Sequence, residues 1–316
     1  MSKFLIILAA TAYLYIPACS ASEVSHPPTY QQMRNASDPD AYEALKYTEN
    51  DIRKLKSQNI PDYIVGAAYQ YDKPKTVSFL KNHFALLENW PAGLSLFISC
   101  ALQEYEKLQN INFEELSEML IKADPENSYS YYLKAYYFSK IDNTDKCLSY
   151  VKKANRKRIC NNYFTELSNI SINTSLFLGY SKFVAQNYAL GLQHDIMIFS
   201  GLSKYLTQKA LRPEFKIECL KMGVILRKNS KTLLNDLLSY AVQLRALKDV
   251  KGKESEVRGV EEAKKDSMKA LEIAHAIEDE YDIPEKRQVE YFNDLYSRSE
   301  TYAILKLAKE YPVNKQ

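Results

Sequence analysis

Apolar residues recur every three or four positions along most of the chain, as in the series Val77, Leu80, Phe84 and Leu87. This spacing puts apolar side chains on one side of an α-helix, whereas the strict alternation typical of a half-buried strand is scarce. Prolines mark several helix starts, because the ring fits the first helical turn. These prolines are Pro61, Pro91, Pro125 and Pro213. The pattern predicts an all-α protein with helices of about 10 to 20 residues joined by short turns.

Composition agrees with this fold class. Only 8 Gly and 11 Pro occur in 316 residues, fewer than many short strands and their turns would need. Four cysteines follow the N-terminal region, and none has the Cys-x-x-Cys spacing of redox or zinc sites. They are Cys100, Cys147, Cys160 and Cys219. Their apolar surroundings predict small buried side chains, with disulfides as the alternative.

An export signal is predicted at the N-terminus. Lys3 is followed by an apolar run from Phe4 to Ile16 and then by small residues up to Ala21. A positive start, an apolar centre and small residues are the three parts of a secretory signal peptide. The run is shorter than the about 20 residues that a membrane-spanning helix needs. We therefore expect export without a permanent spanning helix.

The end of this segment has a second pattern. Residues Ile16-Pro17-Ala18-Cys19 resemble the cleavage box of bacterial lipoproteins, in which the chain is cut before the Cys and the Cys is lipidated. The resemblance implies a lipid anchor on Cys19, and Ser20 after it implies an outer-membrane lipoprotein that faces the periplasm. The alternative is cleavage near Ser20 or Ala21 by ordinary signal peptidase, which would give a secreted protein.

A repeat is indicated between Asp124 and Arg158. This stretch resembles a tetratricopeptide repeat (TPR), a pair of antiparallel helices of about 34 residues. With Ser128 as the first position, the aromatic, small and bulky positions of the repeat fall on Tyr131, Ala135, Phe138, Cys147, Val151 and Ala154. Lys134 departs from the pattern, since an aliphatic residue is usual at its site. The resemblance implies helical hairpins stacked as a TPR-like α-solenoid, because one pair cannot bury its own apolar face.

These patterns divide the chain into five segments. They are a signal peptide at 1–18, a polar tether at 19–37, a TPR-like repeat domain at 38–247, a charged linker or loop at 248–265 and a C-terminal helical hairpin at 266–316. Periodicity predicts hairpins at about 160–188 and 190–228. The charged segment contains Gly252 and Gly259 and is predicted to be either a loop or an exposed helix start. After Pro284, one amphipathic helix is expected from Val289 to Leu307.

Charge and motifs exclude several classes of function. The chain has 42 Lys and Arg against 39 Asp and Glu, a net charge of only +3, which argues against an obligate nucleic-acid binder. It contains no Gly-rich phosphate loop, no His-Glu-x-x-His and no nucleophile elbow. Glu272 and His275 resemble half of a di-iron site, but the sequence has no second such pair. No metal site, cofactor or catalytic residue is therefore predicted, and we expect a protein that is not an enzyme.

Tyrosine and lysine are concentrated in the repeat-like stretch. The tyrosines either form a binding surface, as Tyr often does, or pack between helices. In the first interpretation Tyr131 packs in the core, while Asn127, Tyr132 and Tyr136 contact a partner. A cluster of cations ends the stretch, at Lys152, Lys153, Arg156, Lys157 and Arg158. It either forms an anionic-lipid or nucleic-acid patch or offsets the negative end of a helix dipole.

The sequence favours a scaffold: an exported, lipid-anchored helical-repeat protein that binds a protein or an extended peptide in the cell envelope. An alternative is a helical enzyme that acts on glycan or cell-wall polymer through paired carboxylates, such as Glu114 with Glu115 or Glu278 with Asp279. Adjacent helical residues point about 100° apart, so these pairs do not converge by themselves. A structural envelope protein without a dedicated ligand is the third possibility.

Overall fold

A computed structural model describes residues 49–56, 61, 63–65, 73–105, 111–190, 195–208, 213–248 and 250–313. The predicted signal peptide, the tether and Cys19 lie outside the described residues. Within these ranges the chain forms helices and turns without a β-strand, and its one β-bridge joins Asn127 and Ile159. The prediction of an all-α fold is confirmed.

The helices are numbered here in chain order. They are α1 (Glu49–Leu55), α2 (Lys73–Asn82), α3 (Phe84–Leu87), α4 (Pro91–Gln103), α5 (Phe113–Ala123), α6 (Ser128–Lys140), α7 (Thr144–Ala154), α8 (Phe164–Phe177), α9 (Lys182–Leu190), α10 (Asp195–Gln208), α11 (Pro213–Asn229), α12 (Leu233–Leu247), α13 (Glu254–Glu280), α14 (Glu285–Ser297) and α15 (Glu300–Glu310).

Several helix starts follow directly from local sequence. Pro91 and Pro213 are the first residues of α4 and α11, as the proline pattern predicts. Pro125 lies outside the next helix, which begins only at Ser128 because the Asn127 side chain caps it by accepting a hydrogen bond from Tyr129 N. Elsewhere Asn143 caps α7 by accepting from the backbone of Lys146. Such caps satisfy N–H groups that lack a partner within the helix.

Helix α6 lies at the centre of the packing. It contacts α4, α5, α7 and α10, so that side chains around most of its circumference are buried. Ala135 on α6 and Ala154 on α7 are fully buried, and their small size lets this helix pair approach closely. The pair occupies the stretch in which the sequence resembles a TPR.

The packing of the next pairs does not follow chain order. Helices α6 and α7 contact α10 and α11, whereas the intervening pair α8 and α9 packs through α9 against α14. Helices α10 and α11 occupy the predicted hairpin at 190–228 and contact each other, but α11 packs most extensively against α12, which extends to Leu247.

The C-terminal region differs from its predicted layout. Residues 254–265 form the exposed start of α13, a helix of 27 residues. Of the two predictions for the charged segment, an exposed helix start and a loop, these residues agree with the first. The helix expected from Val289 to Leu307 is two helices, because Ser299 adopts an extended conformation and caps α15 by accepting from Tyr302 N. The region after residue 266 is therefore three helical segments rather than a hairpin.

Buried apolar residues form two clusters. The first joins α2 through α7 with α10, α11 and α12, and the second joins α1, α9 and α13 through α15 with Leu233 at the start of α12. Helix α8 contributes Leu167 to the first cluster and Phe164 to the second. The start of α12 and helix α8 therefore connect the two halves of the core.

A buried carboxyl group fixes the start of α12, one of the two connections between the apolar clusters. Glu300 Oε2 accepts a hydrogen bond from the backbone N–H of Leu233 at 2.6 Å, and Oε1 accepts one from the Tyr291 hydroxyl at 3.3 Å. The Glu300 N–H donates to the carbonyl of Lys231 at 2.8 Å. No ion pair to Glu300 is present among the described residues. Burial raises the pKa of Glu300 to about 7, although the two hydrogen bonds oppose this shift.

We predict that Glu300 makes stability fall as pH rises from about 4.5 to 7. The folded protein retains a proton that the unfolded chain, with a pKa near 4.5, has released. The full penalty above pH 7 is about 3 kcal/mol at 1.36 kcal/mol per pKa unit. Urea unfolding at several pH values should show this loss in the wild type but not in Glu300→Gln. Exposed Glu280→Gln is the control, and the same pH profile in Glu300→Gln and the wild type would contradict the prediction.

Candidate functional site

Asn127, one of three predicted partner-binding residues, is a buried structural clamp. Its Oδ1 accepts hydrogen bonds from the N–H groups of Tyr129 (3.1 Å) and Asn161 (2.9 Å). Its Nδ2 donates to the Asn161 carbonyl (2.7 Å) and to Asp124 Oδ2 (3.0 Å). The same Asp124 oxygen accepts from the Tyr163 hydroxyl at 2.7 Å. This amide therefore ties the start of α6 to the loop after α7.

Tyr132 is fully buried and links three helices. Its ring meets Phe199 of α10 edge to face, with 5.4 Å between the ring centres. Its hydroxyl donates to Asn155 Oδ1 at 2.6 Å, and Asn155 Nδ2 donates to Glu218 Oε2 at 2.7 Å. Lys221 in turn donates to Glu218 Oε1 at 2.7 Å. Burial raises the pKa of Tyr132 well above its ordinary value, so the hydroxyl stays a proton donor.

The prediction that Asn127, Tyr132 and Tyr136 contact a partner is corrected by their positions. Their exposed fractions are 1%, 0% and 6%, because α6 is covered by other helices on the sides where they lie. Tyr136 packs against α10 at Gly201, where an added Cβ would lie 2.7 Å from the ring. Tyr131, expected in the core, is only half-buried and donates to the Pro125 carbonyl.

Accessible aromatic rings occur instead where α5, α6 and α7 meet. Five rings form a continuous chain, with centres of successive rings 5.2 to 5.6 Å apart: Tyr105, Phe113, Tyr137, Phe138 and Tyr150. Phe113 and Phe138 are buried, while the three tyrosines are half-buried and leave part of each ring exposed. We call these five rings the aromatic face. The sequence interpretation included Tyr137 among the tyrosines of the repeat-like stretch but did not predict that it would lie in one face with Tyr105, Phe113 and Tyr150.

Lysine side chains surround the aromatic face. The ammonium groups of Lys134 and Lys153 lie 4.9 and 4.5 Å from the centre of the Tyr150 ring, and that of Lys146 lies 4.8 Å from Phe138. At these distances a cation is attracted to the ring's π electrons. Lys146 also pairs with Glu114 at 3.1 Å.

Lys134 is the most unusual of these side chains, because it is 1% exposed. Its ammonium group pairs with Glu118 and donates to the Glu114 carbonyl at 3.3 Å. Glu118 also accepts from the Tyr150 hydroxyl at 3.0 Å. The hydrogen bond from Lys134 is the main reason that the pKa of Glu118 lies below its ordinary value. Burial, together with the hydrogen bond to Glu118, raises the pKa of Tyr150 to about 12. The departure of Lys134 from the repeat pattern is thus compensated by a carboxylate of α5.

The other candidate groups are dispersed. Glu114 pairs with Lys146, whereas Glu115 accepts from the side chain of its helix cap, Asn112, at 2.9 Å. Glu272 is exposed, and no group of His, Cys, Asp and Glu suited to a metal ion occurs in the described ranges.

Cys100, Cys147 and Cys219 are buried free thiols, as expected, while Cys160 is half-buried. None of the helices in the described part is both long and apolar enough to cross a bilayer.

Comparisons with known proteins give no relative for this chain. No protein-family model, curated protein or solved structure matches it.

We predict that Asn127→Asp destabilises the protein by about 2 to 4 kcal/mol. The carboxylate keeps the two accepted hydrogen bonds but loses both donated ones, and it faces the carboxylate of Asp124. Chemical denaturation near neutral pH measures the change. Asn143→Asp is the matched control, since Asp is an equally good helix cap and should alter stability by less than about 0.5 kcal/mol. Equal effects of the two substitutions would refute the clamp role of Asn127.

We also predict that Glu118→Gln lowers the free energy of unfolding by about 1 to 2 kcal/mol, because it leaves the Lys134 ammonium buried without its carboxylate. Replacing the lysine as well, in Glu118→Gln with Lys134→Met, should restore at least half of the loss. Glu126→Gln, which breaks the more exposed pair with Lys157, should cost less than about 0.5 kcal/mol. A double variant less stable than Glu118→Gln alone would show that the ammonium group is not the cause.

Proposed function

We propose that this protein is an exported, lipid-anchored helical scaffold that binds a protein or an extended peptide on its aromatic face. The observation that carries the proposal is the run of five rings from Tyr105, just after α4, across α5, α6 and α7, in which Tyr105, Tyr137 and Tyr150 are half-buried. Half-exposed tyrosines offer large contact area at little entropic cost, since two dihedral angles fix the ring. Stacked helix pairs with TPR-like geometry would present this face as a rigid surface.

The charges around the rings suit a peptide better than a purely apolar ligand. Lys153 is exposed beside them, next to the exposed ion pair of Lys146 with Glu114, so an acidic side chain of a partner would find an opposite charge. The ion pair of the buried Lys134 holds α5 against α6 and keeps the rings in place. The aromatic rings would then supply contact area and the exposed charges orientation.

Export and anchoring rest on the N-terminal sequence, from Lys3 to Cys19. A lipid on Cys19 would attach the scaffold to the outer membrane, on the periplasmic side, because each buried CH₂ of an acyl chain contributes about 0.8 kcal/mol. Mass spectrometry of the mature protein should find an N-terminal Cys19 with acyl chains. An unmodified terminus near Ser20 or Ala21 would instead indicate secretion.

Binding on the aromatic face is tested by selecting peptides from a random display library against the folded protein. We predict that the selected peptides bind Tyr105→Ala with Tyr137→Ala at least tenfold more weakly, as is typical when central interface aromatics are truncated. Tyr302→Ala, at an exposed tyrosine of α15, is the control and should change affinity less than twofold. Circular dichroism verifies folding of each variant. Absence of enriched peptides, or equal affinity of all three proteins, would count against the proposal.

A further inference from the structure

Positive charge is concentrated in one helix pair. From Ser128 to Arg158 the chain has eight Lys and Arg against two Asp, whereas the whole protein has a net charge of only +3. The rest of the chain is therefore net negative, and any positive field must arise locally from α6, α7 and the loop that follows.

Neighbouring carboxylates neutralise half of these cations. Lys134 and Lys146 pair with α5, as described above, and Lys152 pairs with Glu214 of α11 at 2.9 Å. Lys157 pairs with Glu126, also at 2.9 Å. Within the described ranges, no ion pair involves the remaining cations. They are Lys140, Lys153, Arg156 and Arg158.

Arg156 and Arg158 lie beside an exposed apolar side chain, Ile159, in the loop after α7. Ile159 is 54% exposed, and both arginines are exposed. The backbone of this loop is nevertheless fixed, because the Ile159 carbonyl accepts from Ser128 N at 2.8 Å and Asn161 is held by Asn127. At the other end Asn155 bonds to Tyr132 and Glu218, as described above. The isoleucine is thus held at the surface by a rigid loop.

Helix α11 extends this surface. It runs beside the loop, since Asn155 donates to Glu218 and the Cys160 N–H donates to Asn229 Oδ1 at 3.4 Å. Ile217 and Val224 are seven residues apart, on the same side of α11, and both are exposed. Lys228 lies on the same side and is exposed, and so does Lys221, which is exposed but pairs with Glu218 at 2.7 Å. Exposed apolar and basic side chains are therefore intermixed from the loop to α11.

We propose that the loop at 155–160, with the adjoining side of α11, binds an anionic lipid surface. Arg156 and Arg158 contact headgroup phosphates, and Ile159 enters the boundary between headgroups and acyl chains. Each cation near an anionic membrane and each buried apolar side chain adds to the affinity. A peptide fits the loop less well, because the backbone groups that could pair with it already form hydrogen bonds. These groups are the N–H of Asn155, the carbonyl of Ile159 and the N–H of Asn161. This contact requires neither the lipid on Cys19 nor the aromatic face.

Vesicle co-sedimentation tests the proposal with residues 20–316, which retain every described helix and both apolar clusters. The protein should bind phosphatidylcholine vesicles that contain about one third phosphatidylglycerol, but not pure phosphatidylcholine vesicles, and raising the salt should weaken binding. Arg156→Gln with Arg158→Gln should weaken binding about 30-fold, because each cation contributes about 1 kcal/mol and about 1.4 kcal/mol corresponds to a tenfold change in affinity. Lys265→Gln with Lys269→Gln, an equal change of charge on exposed residues of α13, should have little effect.

Insertion of the apolar side chain is tested separately. Ile159→Ser should weaken binding about fivefold without a change of charge, a fraction of the effect of full burial of Ile. Leu305→Ser, at a similarly exposed residue of α15, is the control. If the arginine pair and the lysine pair of substitutions weaken vesicle binding equally, net charge alone explains the binding and the proposal is overturned. So would tighter binding to soluble polyglutamate than to vesicles, which would assign the surface to an acidic protein.

Discussion

Burial of α6 on most of its circumference is the constraint on which the rest of the structure depends. The helix carries Tyr129, Tyr132 and Lys134 into the interior, where a large polar group without a hydrogen-bond partner is costly. Tyr129 is hydrogen-bonded to Ser99 of α4 at 3.1 Å, Tyr132 to Asn155 and Lys134 to Glu118 of α5. Each of these partners comes from a different element. Satisfying one helix therefore fixes the positions of α4, α5 and the end of α7 around it.

The same constraint determines which surfaces are accessible. Because α6 turns most of its tyrosines inward, its accessible rings include Tyr137, which contacts Tyr105 and is linked to Tyr150 through Phe138. The loop after α7 is fixed by Asn127 and Asn155, so its arginines and Ile159 remain outside as an ordered surface. The two proposed contacts, for a peptide and for a membrane, are thus separate consequences of one packing arrangement. A protein anchored through its N-terminus would gain orientation from the second contact while it leaves the first available.

The start of α12, where the two apolar clusters are connected, is held by a buried carboxyl group. Glu300 accepts hydrogen bonds from the start of α12 and from Tyr291, so one carboxyl group holds α12, α14 and α15 together without an ion pair to any described residue. A neutral carboxyl is tolerated there, whereas a carboxylate is costly in a buried site. Burial likewise raises the pKa of Asp236, in the first turn of α12, which places a second carboxyl with incomplete solvation near the junction. The attachment of α14 and α15 to α12 therefore depends on the protonation of Glu300.

The sequence by itself determined the local structure, because helical periodicity, proline positions and small residues act within a few residues of one another. Pro91, Pro213, Ala135 and Ala154 were interpreted correctly for this reason, and so was the all-α class. Only the tertiary structure decided which tyrosines are exposed, since Tyr132 and Tyr137 have the same local character and differ in whether α10 covers them. It also decided that α6 and α7 pack against α10 and α11 instead of the next pair, and that Lys134 is matched by Glu118. These contacts join residues that are far apart in the chain. A pattern of neighbouring residues cannot predict them, because it contains no information on which distant helix will pack against it.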